Sequence, residues 1–208
     1  MKCEQLFAGK VQTLSRKGKE VKSAIFKSRL PEIHVHETGV LGDEQAYHGH
    51  GGPEKAICVY PVEHYPFWNE YYGTDSFGPS SFGENIAFSG GTERDIHVGD
   101  VYRIGTALVQ ACQTRPPCSK LDIRNNVNGL AQASRERGYV GFYLRVLEPG
   151  TIREGDDWMF VSRPEGAVSM HDYADLQFGN VQDKAALQTL LDTPELSEEA
   201  KKDLRKIK

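Results

Sequence analysis

The residues best equipped for chemistry lie in one short stretch, Gln113-Thr114-Arg115-Pro116-Pro117-Cys118-Ser119-Lys120. A thiol is a weak nucleophile and a weak metal ligand, whereas a thiolate is strong in both roles. Nearby cations stabilise the thiolate, and Arg115 and Lys120 flank Cys118. The same residue types also describe an ordinary buried cysteine that packs as a small hydrophobe. The sequence supplies the cations but not the exposure, so spacing alone leaves both readings standing.

A second polar group occupies a glycine-dense segment, residues 39–53, which holds Asp43, Glu44, His48 and His50. Glycine at that density marks unusual dihedrals or a close approach of the backbone to something else. A plain long turn would hold glycine too, but less often two histidines beside an Asp-Glu pair. Asp43 and Glu44 read slightly better as turn caps than as site residues. His34 and His36 alternate with apolar residues across 32–37, which puts both on the open face of a half-buried strand, solvated rather than ligating. Cys58 sits in an apolar run, residues 55–60, and reads as core.

These residues need a scaffold that gathers loops. Residues 107–112 are apolar and partly β-branched, the pattern of a strand. Pro116-Pro117 then removes two ladder donors, so Cys118 is expected on a stiff turn just past a strand end. Further strands are expected at 9–14, 23–28, 32–37, 55–60, 101–105, 139–147 and 158–161, with a basic turn at 16–19 and a hairpin at Gly105-Thr106. Helices are expected at 61–72, where Tyr65, Trp68 and Tyr72 recur at helical spacing, and at 129–137, stopped by Gly138. Many short strands with Gly-rich turns argue for a mainly β chain, a closed or nearly closed barrel with peripheral helices. The composition shifts after residues 163–166, and helical segments follow at 169–176, 183–191 and 197–206. This tail has few large apolar residues and must lean on the barrel or a partner. The expected organisation is a β-barrel domain at 1–165 and a small three-helix domain at 166–208.

Composition narrows the function. A net charge of −4 gives no global basic field, so nucleic acid is not an expected partner. No apolar run approaches bilayer length, and Met1 to Gln5 carries no secretory pattern, so a cytoplasmic protein without membrane association is expected. Four scattered cysteines with no C-x-x-C pair argue against a disulfide framework or structural zinc. The glycine loops lack the P-loop pattern.

Taken in order, Gly-Asp-Glu-Gln at 42–45, His-Gly-Gly-Pro at 50–53, Phe-Gly-Glu-Asn at 82–85, Gly-Asp at 99–100 and Gln-Thr-Arg-Pro-Pro-Cys-x-Lys at 113–120 resemble a MOSC domain. That domain is named for the C-terminal part of molybdenum cofactor sulfurases. The nearest resemblance is to the stand-alone bacterial branch linked to resistance to 6-N-hydroxylaminopurine, which carries a small C-terminal three-helix domain. The chain departs from the family at Thr114, where proline is usual.

The resemblance implies a β-barrel-based fold that binds the molybdenum cofactor, a pterin-dithiolene with a terminal phosphate, and no pyridoxal phosphate. Cys118 would be the thiolate ligand, a soft donor for a thiophilic metal. Arg115 and Lys120 would hold anionic cofactor groups, and His50 and Asn85 would line the pocket as hydrogen-bond donors. The implied reaction is reductive N–O cleavage of N-hydroxylated bases or amines. Electrons would come from a separate reductase, because the chain has no flavin, haem or iron–sulfur motif. Two alternatives stay open: a non-catalytic cofactor carrier or sulfur relay with a persulfide on Cys118, and a metal-free thiol-redox barrel. The tail would dock the reductase or act as a stabilising flap.

Overall fold

The computed structural model describes residues 1–16, 19–47 and 49–207, so the expectations for His48 and the basic turn at 17–18 fall outside the described residues. The chain opens with a strand the sequence reading did not anticipate, β1 (Lys2–Ala8), whose Cys3, Leu6 and Phe7 are buried. A single strand over 9–14 does not form. The chain turns at Gly9, where a Cβ would lie 2.7 Å from the Phe26 carbonyl oxygen, and resumes as β2 (Gln12–Arg16) against β3 (Lys19–Ser23). The strand expected at 23–28 is likewise broken. Residues 24–27 leave the ladder before β4 (Ser28–Leu30), because Lys27 is drawn into a buried ion pair with Asp43.

Next come β5 (Glu32–His36) and β6 (Gly39–Val40), with His34 and His36 exposed as expected of an open sheet face. Strand β7 (Ile57–Pro61) leads through a 3-10 turn at Val62–His64 into α1 (Tyr65–Tyr72). The helix starts later than expected because Pro66 lacks an amide hydrogen and fits only the first turn. Then follow β8 (Ile86–Ser89), the hairpin β9 (Val101–Ile104) and β10 (Ala107–Thr114), α2 (Lys120–Asn125), α3 (Leu130–Arg137), β11 (Phe142–Glu148), β12 (Gly150–Arg153) and β13 (Trp158–Ser162).

The main sheet has eight strands in the order β13-β9-β10-β11-β7-β8-β1-β4. It curls until its far parts meet: Cys3 N–H donates to Asp156 O at 2.9 Å and Trp158 N–H to Met1 O at 3.0 Å. The outcome is a mainly β, nearly closed barrel. Its interior is filled by residues such as Leu6, Val59, Phe88, Val109, Leu144 and Trp158. A second apolar cluster covers the outer face of β7, where α1 lays Trp68 over Tyr60 and Phe82. The Trp68 indole donates to Tyr60 Oη at 2.7 Å, so the buried polar atoms there are paired.

Three helices end the chain: α4 (Met170–Phe178), α5 (Lys184–Asp192) and α6 (Glu198–Leu204), capped by the side chains of Ser169, Asp183 and Ser197. Met170, Tyr173, Leu176, Leu190, Leu196 and Leu204 join the same apolar cluster as the barrel interior. Among the described residues, no helix is long and apolar enough to cross a membrane.

Candidate functional site

Strand β10 carries the chemistry to its place. Its ladder runs one residue past the strand, with Arg115 N–H donating to Gly141 O at 3.1 Å. Pro116-Pro117 then turns the chain, and Cys118 lies half-buried on that turn ahead of α2. Arg115, Cys118 and Lys120 border one cleft with His50, Asn85 and Tyr143. The structure therefore brings together all five residues singled out from sequence.

Arg115 is only 7% exposed. Its Nη2 donates to Phe82 O at 2.6 Å, while Nη1 is buried with no hydrogen-bond partner among the described residues. An unpaired buried donor on a cation is costly, and such groups mark a place where a ligand supplies the partner. The Phe82 carbonyl is set by Glu84, a fully buried carboxylate that accepts from Phe82 N–H at 3.0 Å and from the Tyr65 hydroxyl at 2.6 Å, besides Ser80 N–H. Burial pushes the Glu84 carboxyl upward in pKa against those hydrogen bonds.

His50 reports the field in the cleft. Burial first, then Arg115, Lys120, Lys55 and Lys27, pull its imidazole down to about 4. The ring is thus neutral near pH 7, able to donate from one nitrogen and accept at the other. The cleft-lining set holds four cations and, among the described residues, no carboxylate.

Two of those cations are held by distant parts of the chain. Lys27 pairs with Asp43 at 2.5 Å, both side chains 5% exposed. Asp43 also accepts from Gly9 N–H at 2.7 Å and from the Asn85 amide at 3.0 Å. Glu44 accepts from Val11 N–H at 2.9 Å and pairs with Lys10, which lowers its carboxyl pKa. Both acids therefore pin the turn at 9–11. Lys55 donates to Gly49 O at 2.9 Å and to the Glu199 carboxylate at 3.1 Å, so the last helix reaches the cleft. The sequence reading missed Lys27 and Lys55. A lysine inside an apolar run was the only local signal for Lys27.

Asn85 borders the cleft, but its amide donates to Phe7 O at 3.1 Å and to Asp43, and its Oδ1 accepts from Cys58 N–H at 3.0 Å. It ties β1, β7 and the Asp43 turn together. Cys58, read from sequence as core, is half-buried and borders the cleft. Strand alternation explains the difference: Ile57 and Val59 point into the barrel, so Cys58 and Tyr60 point out. The second apolar cluster covers Tyr60 and does not include Cys58.

The cleft encloses about 60 Å³ beside Cys118 and opens past His50 and Lys55 into a hollow of about 320 Å³. A thiol, an unpartnered guanidinium nitrogen and a lining with four cations, two of them paired to Asp43 and Glu199, suit a soft metal carried by an anionic organic group.

Fold and site thus define a curled β-barrel whose thiol lies in an anion-attracting cleft. The MOSC domain family matches residues 46–158, and the chain belongs to that family, whose domains bind the molybdenum cofactor. The Bacillus subtilis (strain 168) protein YflK is 37% identical over 192 residues, covering 91% of this chain and 86% of YflK. A protein of Gibberella moniliformis (strain M3125 / FGSC 7600) named as a reductase is 33% identical over 164 residues, which is 77% of this chain but 29% of that protein. The crystal structure of YiiM from Geobacillus stearothermophilus superposes with a TM-score of 0.82 at 33% identity, covering 99% of this chain and 97% of that one.

Proposed function

We propose that the chain is a molybdenum-dependent reductase of N-hydroxylated bases or amines, with Cys118 as the protein ligand to the metal and a separate reductase as electron donor. The observation that carries this reading is Arg115, a buried cation with an unpartnered Nη1 in the cleft that Cys118 borders. When bound, the molybdenum cofactor would supply two-electron redox chemistry. Converting R–NHOH to R–NH2 and water takes two electrons and two protons, which matches that capacity.

The chain's own groups do the rest. Cys118 would ligate the metal through its sulfur, Arg115 would offer a planar fork to an anionic group, and Lys120 would add a mobile point charge. Neutral His50 can hold a substrate hydroxyl by hydrogen bonding in either direction. Burial raises the Tyr143 phenol well above its usual range, so it keeps its proton and presents a donor to the cleft. A ligand larger than a few waters must extend from the cleft into the adjoining hollow. The relative named as a reductase supports the reaction class.

The test is metal and pterin content of protein made in a host that builds the cofactor, paired with Cys118→Ser. Wild-type protein is expected to carry molybdenum and reduce a hydroxylaminopurine with an electron donor, and the variant to lose at least ~100-fold in rate, as expected when a group essential to the chemistry is removed. Full activity in the variant refutes ligation by Cys118. A cofactor carrier or sulfur relay is the second reading, favoured by the second thiol, Cys58, in the same cleft. A persulfide on purified Cys118, with no turnover of hydroxylated substrates, would select it.

A further inference from the structure

Pro116 and Pro117 have no amide hydrogen, so the turn that carries Cys118 can be pinned only through its carbonyl oxygens, its side chains and the strand end before it. Three such handles lead back to the terminal helix α4. The first is Thr114, the last residue of β10, which is 1% exposed. Its hydroxyl donates to Gln177 Oε1 at 2.5 Å.

The second handle is the Arg115 backbone, whose N–H donates to Gly141 O. Gly141 N–H in turn donates to Glu93 Oε1 at 2.8 Å. Glu93 is buried, and its carbonyl accepts from His171 N–H of α4 at 2.9 Å. The third handle is the Pro117 carbonyl, which accepts from Arg135 Nη2 of α3 at 2.6 Å. The Arg135 guanidinium lies 5.9 Å from the centroid of the Phe178 ring, within cation–π range. The Arg135 carbonyl accepts from the Asn180 amide at 2.7 Å. Arg135 is thereby held at both ends by the C-terminal end of α4 and the residues just past it.

We infer that α4 is a positioning element of the site: it holds the Cys118 turn from both sides, with Gln177 and Arg135 as the positioning residues. A flap would need only the apolar seat that Met170, Tyr173 and Leu176 make against the barrel. It would not need hydrogen bonds that converge on the residues either side of Pro116. Neither positioning residue has to touch the reacting atoms; both act through where the Cys118 sulfur is held, as outer partners do for the ligands they orient. The inference concerns the placement of that sulfur and rests on the proposed metal ligation only for its effect on turnover.

The local reporter is Leu121, whose N–H donates to Cys118 O at 3.0 Å. Residue-resolved hydrogen exchange of the full-length, cofactor-free chain reads it. Gln177→Leu removes the acceptor for Thr114 and should speed exchange at Leu121 about fivefold, the weight of one neutral hydrogen bond. Gln177→Glu keeps an acceptor and should restore wild-type exchange. Thr114→Val added to Gln177→Leu should change nothing more, because both remove the same bond. Arg135→Met should speed the same amide about tenfold, the larger weight of a charged donor. A merely structural contact would speed only the slow core amides, which exchange through global unfolding, and leave the local opening at Leu121 as it was. That result in both Gln177→Leu and Arg135→Met, or Gln177→Glu exchanging as fast as Gln177→Leu, overturns the inference. Turnover of cofactor-loaded protein tests the other reading separately: a turn loosened by Arg135→Met with undiminished turnover would refute metal ligation by Cys118 and leave the positioning role intact.

Discussion

Replacing Arg115 with methionine should separate what that residue does for function from what it does for stability. Methionine keeps a similar length while removing the charge. The variant loses the hydrogen bond from Nη2 to Phe82 O, a bond to a charged group and thus about 1.5–3 kcal/mol. It also relieves the burial of a cation that is 7% exposed and has an unpartnered Nη1. Effective desolvation costs of buried ions run to several kcal/mol. The two terms nearly cancel, so the expected change lies between zero and about 2 kcal/mol of added stability. For a chain of this length, 1 kcal/mol corresponds to about 2–4 °C in Tm. Calorimetry of the cofactor-free chain reads that shift, and imidazole NMR reads the second consequence: the His50 pKa should climb from about 4 toward its ordinary value, since Arg115 is the foremost charge holding it down. Cofactor content should fall sharply. A variant destabilised by more than about 2 kcal/mol would mean that Arg115 is kept for the fold, and the argument from its idle nitrogen would fail.

Further outcomes follow from the same geometry. The His50 pKa is depressed in the folded chain, so the unfolded chain binds more protons between pH 6.5 and about 4. Stability should therefore fall as pH drops through that window, and His50→Gln should flatten that part of the profile in urea melts at a series of pH values. An unchanged profile would show that His50 is not held neutral. Asp43→Asn leaves Lys27 buried beside the cleft without its carboxylate, a loss of about 3–5 kcal/mol. Urea denaturation should show it, and the double variant with Lys27→Met should recover most of it. A loss below about 1 kcal/mol would place the pair among weak surface contacts.

Much of the fold was legible because its signals are local. The β10 run, the Gly105-Thr106 hairpin, the helix ended by Gly138 and the three capped terminal helices follow from side-chain alternation, glycine at left-handed positions and short polar caps. The strands that went astray are those whose ends are set by partners far along the chain. Gly9 and Lys27 both answer to Asp43, 34 and 16 residues away, and a buried ion pair outweighs a short run's strand propensity.

The sequence by itself determined the family, the β class, and the turn that carries Cys118 between Arg115 and Lys120, because a proline pair and a five-motif order need no partner to be recognised. Tertiary structure alone decided that Cys58 faces the cleft and not the core, that Asn85 spends its amide on the scaffold, and that Glu199 reaches Lys55 across 144 residues. The reason is physical: which face of a strand becomes interior, and which charges end up desolvated, depends on what packs above it, and chain order carries no record of that until the sheet has curled.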